Sequence, residues 1–321
     1  MKGTRSFRLS SRDVLFEIEL RRNVTVLRGN GATYKTLFCN LLRAAHIEGS
    51  GAHLSSYKTQ VYCLSDQEFA ADHLAQYKGR DVILVFDESS SCIRTTEFRN
   101  AIESTGCYFI LITRNKCDCF GVSTKEICEF VYSDSEDLHK RVVRMKQLYP
   151  QDAYGHISDQ QQVITEDACA GKQFFNRVFS AAKVRSSHGK SEIAKTIMHN
   201  PNSIVVVDGA AFGFEIEDVI PLLSEYNCYL ITKESFEYVI LKSGILRQLI
   251  NFDADNPLVD SEKYLSWERF YTDVLCEITK GTVLQYNKLN LNEAYLTPEN
   301  LRKILAVYNI ANKAQETQYF S

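Results

Sequence analysis

The chain has 321 residues, of which 45% are apolar and 24% charged, with a formal net charge of −3. That length exceeds one ordinary core and suits two domains of roughly 150 residues. The balance of charge excludes a uniformly cationic, histone-like surface but leaves room for a local basic groove.

Ten cysteines in no regular framework read as reduced thiols. The opening MKGTRSFRLSSRDVLFEIEL has no apolar signal region. No apolar run approaches the roughly 20 residues of a membrane span. The expectation is a soluble, cytoplasmic protein with no membrane partner. Cys117, Cys119 and Cys128 cluster as Cys-x-Cys plus one, which is poor zinc spacing, so free thiols are expected there. The seven histidines form no metal-binding pattern.

In chain order, NVTVLR (23–28) predicts a strand and KTLFCNLLRAAHI (35–47) a helix. QVYCL (60–64) predicts a strand, and the unbroken apolar run DVILVFDE (81–88) a central parallel strand buried on both faces. TTEFRNAIEST (95–105) predicts a helix and CYFILITR (107–114) another buried strand. The polar segment SEDLHKRVVRMKQLY (135–149) predicts a helix, and PQDAYGHISDQQ (150–161) a domain boundary. Beyond it, strands are predicted at QVITED (162–167), KVRSS (183–187), SIVVVDG (203–209) and CYLIT (228–232). Helices are predicted at GKQFFNRVFSAA (171–182), EIAKTIMHN (192–200) and EIEDVIPLLSEYN (215–227), with amphipathic helices toward the C-terminus. The expected class is α/β: two domains, 1–150 and 160–321, each a mostly parallel sheet with flanking helices. Trp267, Phe270 and Tyr271 could stack on nucleic acid, but their helical spacing favours a place in the core.

The stretch VTVLRGNGATYKTLF (24–38) follows the phosphate-loop pattern G-x-x-x-x-G-K-[ST], except that Tyr34 stands in place of its second glycine. Such loops aim several backbone N–H groups at one anion at a helix N-terminus. Gly29, Asn30, Gly31, Ala32, Thr33, Tyr34, Lys35 and Thr36 form the expected nucleotide-binding segment. Lys35 would reach the β and γ phosphates, and the Thr36 hydroxyl would bind Mg²⁺. VILVFDE then ends in Asp87, which would hold the metal, and Glu88, which would polarise an attacking water. FILIT ends in Thr113, Arg114 and Asn115, so Asn115, or Thr113, is the expected γ-phosphate sensor.

On these motifs, residues 24–115 resemble the core of additional-strand P-loop NTPases, close to AAA-like or STAND-like groups. The resemblance implies ATP and Mg²⁺ as cofactors. The interval from Lys35 to Asp87 leaves no room for the helical insertion of an ABC-type ATPase. Other readings of the same residues stay open: Tyr34 fills the site, or swings out to stack on a base or a partner. Lys35 could simply pair with Asp87, and the two acids could be helix caps.

In the second half, Glu166 follows one expected strand, His188-Gly189-Lys190-Ser191 follows the next, and Asp208 ends the third. In a parallel sheet all three emerge at the carboxyl edge, where acids can hold Mg²⁺. This set is similar to a Toprim domain, whose glutamate and first aspartate would be Glu166 and Asp208. Ala210 replaces the family's second aspartate. A P-loop ATPase followed by a Toprim domain is the order of the OLD family, many members of which act in phage defence. The resemblance thus implies an ATP-Mg²⁺ binding protein, at most a weak ATPase, with a unit that acts on or senses nucleic acid. Two alternatives stand beside it: a catalytically degenerate scaffold or regulatory protein, and a metal-dependent nuclease switched by nucleotide. Partners under these readings are nucleotide, nucleic acid, and a second copy or another protein.

Overall fold

The computed structural model describes residues 3–29, 34–68, 74–116, 121–135, 139–149, 162–252 and 267–310. The chain divides into two compact units: Met1–Pro150 with Asn256–Leu265, and Gln151–Asp255 with Ser266–Ser321. The expected boundary segment, 150–161, lies outside the described residues.

The first unit opens with an antiparallel hairpin, β1 (Arg5–Ser10) and β2 (Val14–Leu20), in which Phe7 faces Ile18 and Leu9 faces Phe16. The alternation of Val14, Phe16, Ile18 and Leu20 puts one face of β2 in the core. Then come β3 (Val24–Leu27), α1 (Lys35–Ala44), β4 (His53–Ser56), β5 (Gln60–Leu64) and β6 (Val82–Phe86). They are followed by α2 (Thr96–Thr105), β7 (Tyr108–Ile112), β8 (Ile127–Ser135) and β9 (Lys140–Gln147). α2 starts where the Thr95 hydroxyl accepts from the Phe98 N–H at 3.2 Å, and stops at Gly106, whose φ of 68° a side chain would resist.

These strands form one nine-stranded sheet in the order β4-β1-β2-β9-β8-β3-β7-β6-β5. Its centre, β8-β3-β7-β6-β5, is parallel, as expected for β3, β5, β6 and β7, whereas β8–β9, β1–β2 and β1–β4 pair antiparallel. β6 and β7 are buried at every position, which explains their uninterrupted apolar sequences. The helix expected over 135–149 is instead β9, hydrogen-bonded to β8 from Cys128↔Gln147 to Ser135↔Lys140. Its many Lys and Arg residues mimic a solvated helix. The β-branched Val143 joins the core on one face and Val142 is buried on the other, and pairing on both flanks outweighs local propensity.

β4 and β5 are the two edges of this sheet, yet only residues 57–59 separate them. Laid flat, nine strands would hold their edges about 38 Å apart at 4.8 Å per strand. The connection spans no more than about 14 Å. The sheet therefore curls until its edges approach, and α1 lies in the curl. Phe38 of α1 packs on Phe16 at 5.2 Å and on Phe130 at 5.3 Å, in one core with Val61 and Cys63 of β5.

The second unit carries a four-stranded, fully parallel sheet of β10 (Gln162–Thr165), β11 (Val184–Ser186), β12 (Ser203–Asp208) and β13 (Tyr229–Lys233). Its order is β11-β10-β12-β13. The connecting helices are α3 (Ala170–Phe179), α4 (Ile193–His199) and α5 (Ile216–Glu225). α6 (Phe236–Lys242), α7 (Trp267–Thr279) and α8 (Pro298–Tyr308) follow. Ser235 and Thr297 cap α6 and α8 by accepting from backbone N–H groups, and Pro298 opens α8 where its missing N–H costs nothing. Tyr271 is a core residue, and Trp267 and Phe270 pack against that core, in line with their helical spacing. No described helix is long and apolar enough to cross a membrane.

Candidate functional site

Two groups of polar residues gather at carboxyl edges of parallel strands, one in each unit. In the first unit β7 lies between β3 and β6. The turn after β7 therefore emerges between Gly29, just beyond β3, and Asp87, just beyond β6. Asn30, Gly31, Ala32 and Thr33 lie outside the described residues. Lys35 begins α1, is 6% exposed, and donates from Nζ to the Gly29 carbonyl at 2.7 Å. Burial lowers its pKa. Glu88 opposes that shift, while Arg114 and Arg28 add to it. Thr36 is exposed at the start of the helix.

The acids after β6 are held by arginines. Asp87 Oδ2 accepts from Arg43 at 3.3 Å and its Oδ1 from the Glu88 N–H at 2.6 Å. Glu88 pairs with Arg114 at 2.5 Å. Thr113 is buried and its hydroxyl donates to the Asn115 carbonyl at 2.9 Å, while Asn115 itself is exposed. Arg28 donates to the Thr113 carbonyl at 3.1 Å, tying the end of β3 to the end of β7. Sequence reasoning missed Arg28, Arg43 and Arg114. Their signal was adjacency: Arg28 precedes Gly29, and Arg114 lies between Thr113 and Asn115.

Tyr34 takes φ 60°, the left-handed region that the motif's glycine would occupy freely. Its ring lies edge-on to Phe16 at 6.4 Å and to Tyr132 at 5.5 Å, and packs against the core of the first unit. Its hydroxyl accepts from Arg141 at 2.5 Å. Arg141 lies 4.8 Å from the Tyr132 ring centre and also pairs with Asp134 at 2.9 Å. The aromatic side chain is thus anchored on β2, β8 and β9.

In the second unit β10 sits between β11 and β12. The crossovers leaving β10 and its neighbour run to opposite sides, so a crevice opens at the carboxyl ends of β10 and β12. Glu166 and Asp208 occupy it, and Glu166 Oε2 accepts from the Asp208 N–H at 3.0 Å. Burial raises Glu166 to about 7, with Glu268 and Glu215 pushing the same way against the Asp208 N–H and Lys190. Burial, then Glu166, Glu237 and Glu268, raise Asp208 well above the usual carboxylate range. Asp167, in contrast, is a helix cap: its carboxylate accepts from the Cys169 N–H at 2.5 Å and the Gly171 N–H at 2.6 Å.

The turn His188-Gly189 has φ of 61° and 130°, and Lys190 donates to the Ala211 carbonyl at 3.0 Å and lies 3.6 Å from Glu215. Lys288 pairs with Glu268 at 2.8 Å and lies 3.8 Å from Glu237, which is 1% exposed and accepts from the Tyr286 hydroxyl at 2.8 Å. Although burial works to lower Lys288, these carboxylates hold it above the ordinary lysine range. Glu237, Glu268 and Lys288 had no motif to reveal them. Ala210 is buried and donates its N–H to the Glu234 carbonyl at 3.0 Å. Among the described residues no three of His, Cys, Asp and Glu stand close enough to hold a metal ion. Cys128 is a buried free thiol; Cys117 and Cys119 lie outside the described residues.

Scans of this chain against protein-family models, curated proteins and solved structures each return no match.

Proposed function

We propose that the first unit binds a nucleoside triphosphate with Mg²⁺ at the start of α1, and that the second unit is a Toprim-like partner to it, acting on or sensing nucleic acid. One observation carries the nucleotide reading: β7 intervenes between the strand that leads to Lys35 and the strand that leads to Asp87. That inserted strand gives the additional-strand class of P-loop proteins its name. It brings a buried lysine, two acids and a polar strand end to one edge. Thr36 and Asp87 are the residues that would hold Mg²⁺, which would screen the phosphate charge. In the second unit Glu166 and Asp208 offer carboxylates at a topological crevice, but the position of the family's second aspartate is a buried alanine. Those residues do not fit a complete Mg²⁺ cradle.

The arginine clamps favour a second reading, binding without turnover. Arg43 on Asp87 and Arg114 on Glu88 occupy the two acids that metal binding and water activation need. The test is a thermal shift of the full chain with ATP-Mg²⁺, in wild type and Lys35→Ala. A rise in wild type that is lost in the variant supports nucleotide binding, and equal curves refute it. Release of phosphate over hours then separates a weak ATPase from a binding module.

A further inference from the structure

Beside Tyr34 a cleft of 590 Å³ opens, lined by Val14, Tyr34, Leu37, Asp134, Lys140 and Arg141 among others. Its position follows from strand directions. β8 runs parallel to β3, β9 antiparallel to β8, β9 parallel to β2, and β2 antiparallel to β1. The start of β2, the end of β8 and the start of β9 therefore all lie at the edge where β3 delivers the chain to Lys35. Tyr34 and Leu37 flank Lys35 within about one helical turn, a rise of roughly 5.4 Å.

We infer that this cleft receives the purine base and ribose of the nucleotide whose phosphates Lys35 holds. The inference rests on the phosphate reading of the first unit. Three features carry it. The volume lies within the roughly 300–1,000 Å³ of small-molecule sites, which combine apolar walls with a few polar groups. Leu37, on the first turn of α1, is 39% exposed toward solvent, and with Val14 and the Tyr34 ring supplies apolar wall against which a flat base can lie. Asp134, Lys140 and Arg141 supply acceptor and donor groups at the rim.

The wall is also fixed in advance. Asp134 holds Arg141, Arg141 holds the Tyr34 hydroxyl, and Lys140 donates to the Ser11 carbonyl at 2.7 Å, joining the β1–β2 turn to β9. A preorganised wall binds without the entropy cost of ordering its side chains. This gives the departure from glycine a reason. Tyrosine at φ 60° is strained, and strained residues held by their surroundings cluster at ligand sites. A glycine would leave the cleft without its aromatic side.

The test is titration calorimetry of the full chain with Mg²⁺ and three probes: ATP, GTP and inorganic tripolyphosphate. The base contact should make both purine nucleotides bind roughly tenfold or more tighter than tripolyphosphate. Leu37→Asn should erase most of that difference while leaving the tripolyphosphate affinity within about twofold. Leu37 is exposed, so the variant should melt close to wild type, and Leu37→Ala gives a milder second reading of the same loss. Equal affinity for ATP and tripolyphosphate in wild type overturns the base site and leaves the phosphate site standing. An undiminished nucleotide preference in both Leu37 variants also overturns it. Absence of binding by any probe removes the phosphate reading and this inference together.

Discussion

Replacing Glu166 by glutamine should stabilise the second unit at alkaline pH and flatten its pH dependence. The carboxylate sits in the β10–β12 crevice among Glu268, Glu215 and Asp208, and burial raises its pKa from 4.5 to about 7. The unfolded chain ionises this group more easily than the folded one. Stability is therefore full below about pH 4.5 and declines as pH rises through about 7. At about 1.4 kcal/mol per pKa unit the decline has a ceiling of about 3 kcal/mol. A glutamine oxygen can still accept the Asp208 N–H while carrying no charge. The gain at pH 8 is then an increase in Tm of up to roughly 6–12 °C, and little change at pH 4.5. Asp208, also raised, should leave a residual slope of the same sign. The assay is melting of both proteins by circular dichroism from pH 4.5 to 8.5. Glu166→Gln melting at or below wild type at pH 8, with the wild-type pH profile intact, would refute the reasoning. Adding Mg²⁺ at pH 8 extends the assay: a metal held by this crevice would stabilise wild type and leave the variant unmoved.

Lys288→Met should cost about 1–3 kcal/mol, because buried Glu237 would lose its nearby cation while Lys288 and Glu268 are partly solvated; urea melts showing no loss would contradict this. Tyr34→Gly relieves the left-handed strain but removes the ring from Phe16, Tyr132 and Arg141, so a lower Tm is expected, and a higher one would show that strain outweighs packing. Phe38→Ala, at the centre of the aromatic core inside the curled sheet, should destabilise the first unit by about 3–5 kcal/mol in denaturant titrations.

The parallel strands were readable because burial on both faces leaves an unbroken apolar run, as in β6, β7 and β12. Helices α2 and α8 were readable through their helix-period, amphipathic sequences. What escaped depends on partners far along the chain. β9 carries a helix-like composition and becomes a strand only because β8 and β2 offer hydrogen bonds on both sides. β1, β2 and β4 carried no element expectation, since a half-solvated hairpin gives a weaker signal than a buried run. The acids and Lys35 were placed by motif. Their arginine partners were not, because Arg43 meets Asp87 across 44 residues of chain. The direction of the Tyr34 ring depends on Phe16, Tyr132 and Arg141, which no local pattern connects.

The curl of the nine-stranded sheet limits how the first unit can answer a ligand. α1 is packed between β1, β2 and β8 on one flank and β5 on the other, so it cannot shift sideways without losing core contacts. A response to a molecule arriving at its first turn is then expected at that rim, where residues 11–13 join β1 to β2. The helix then serves as a fixed anvil inside the curl.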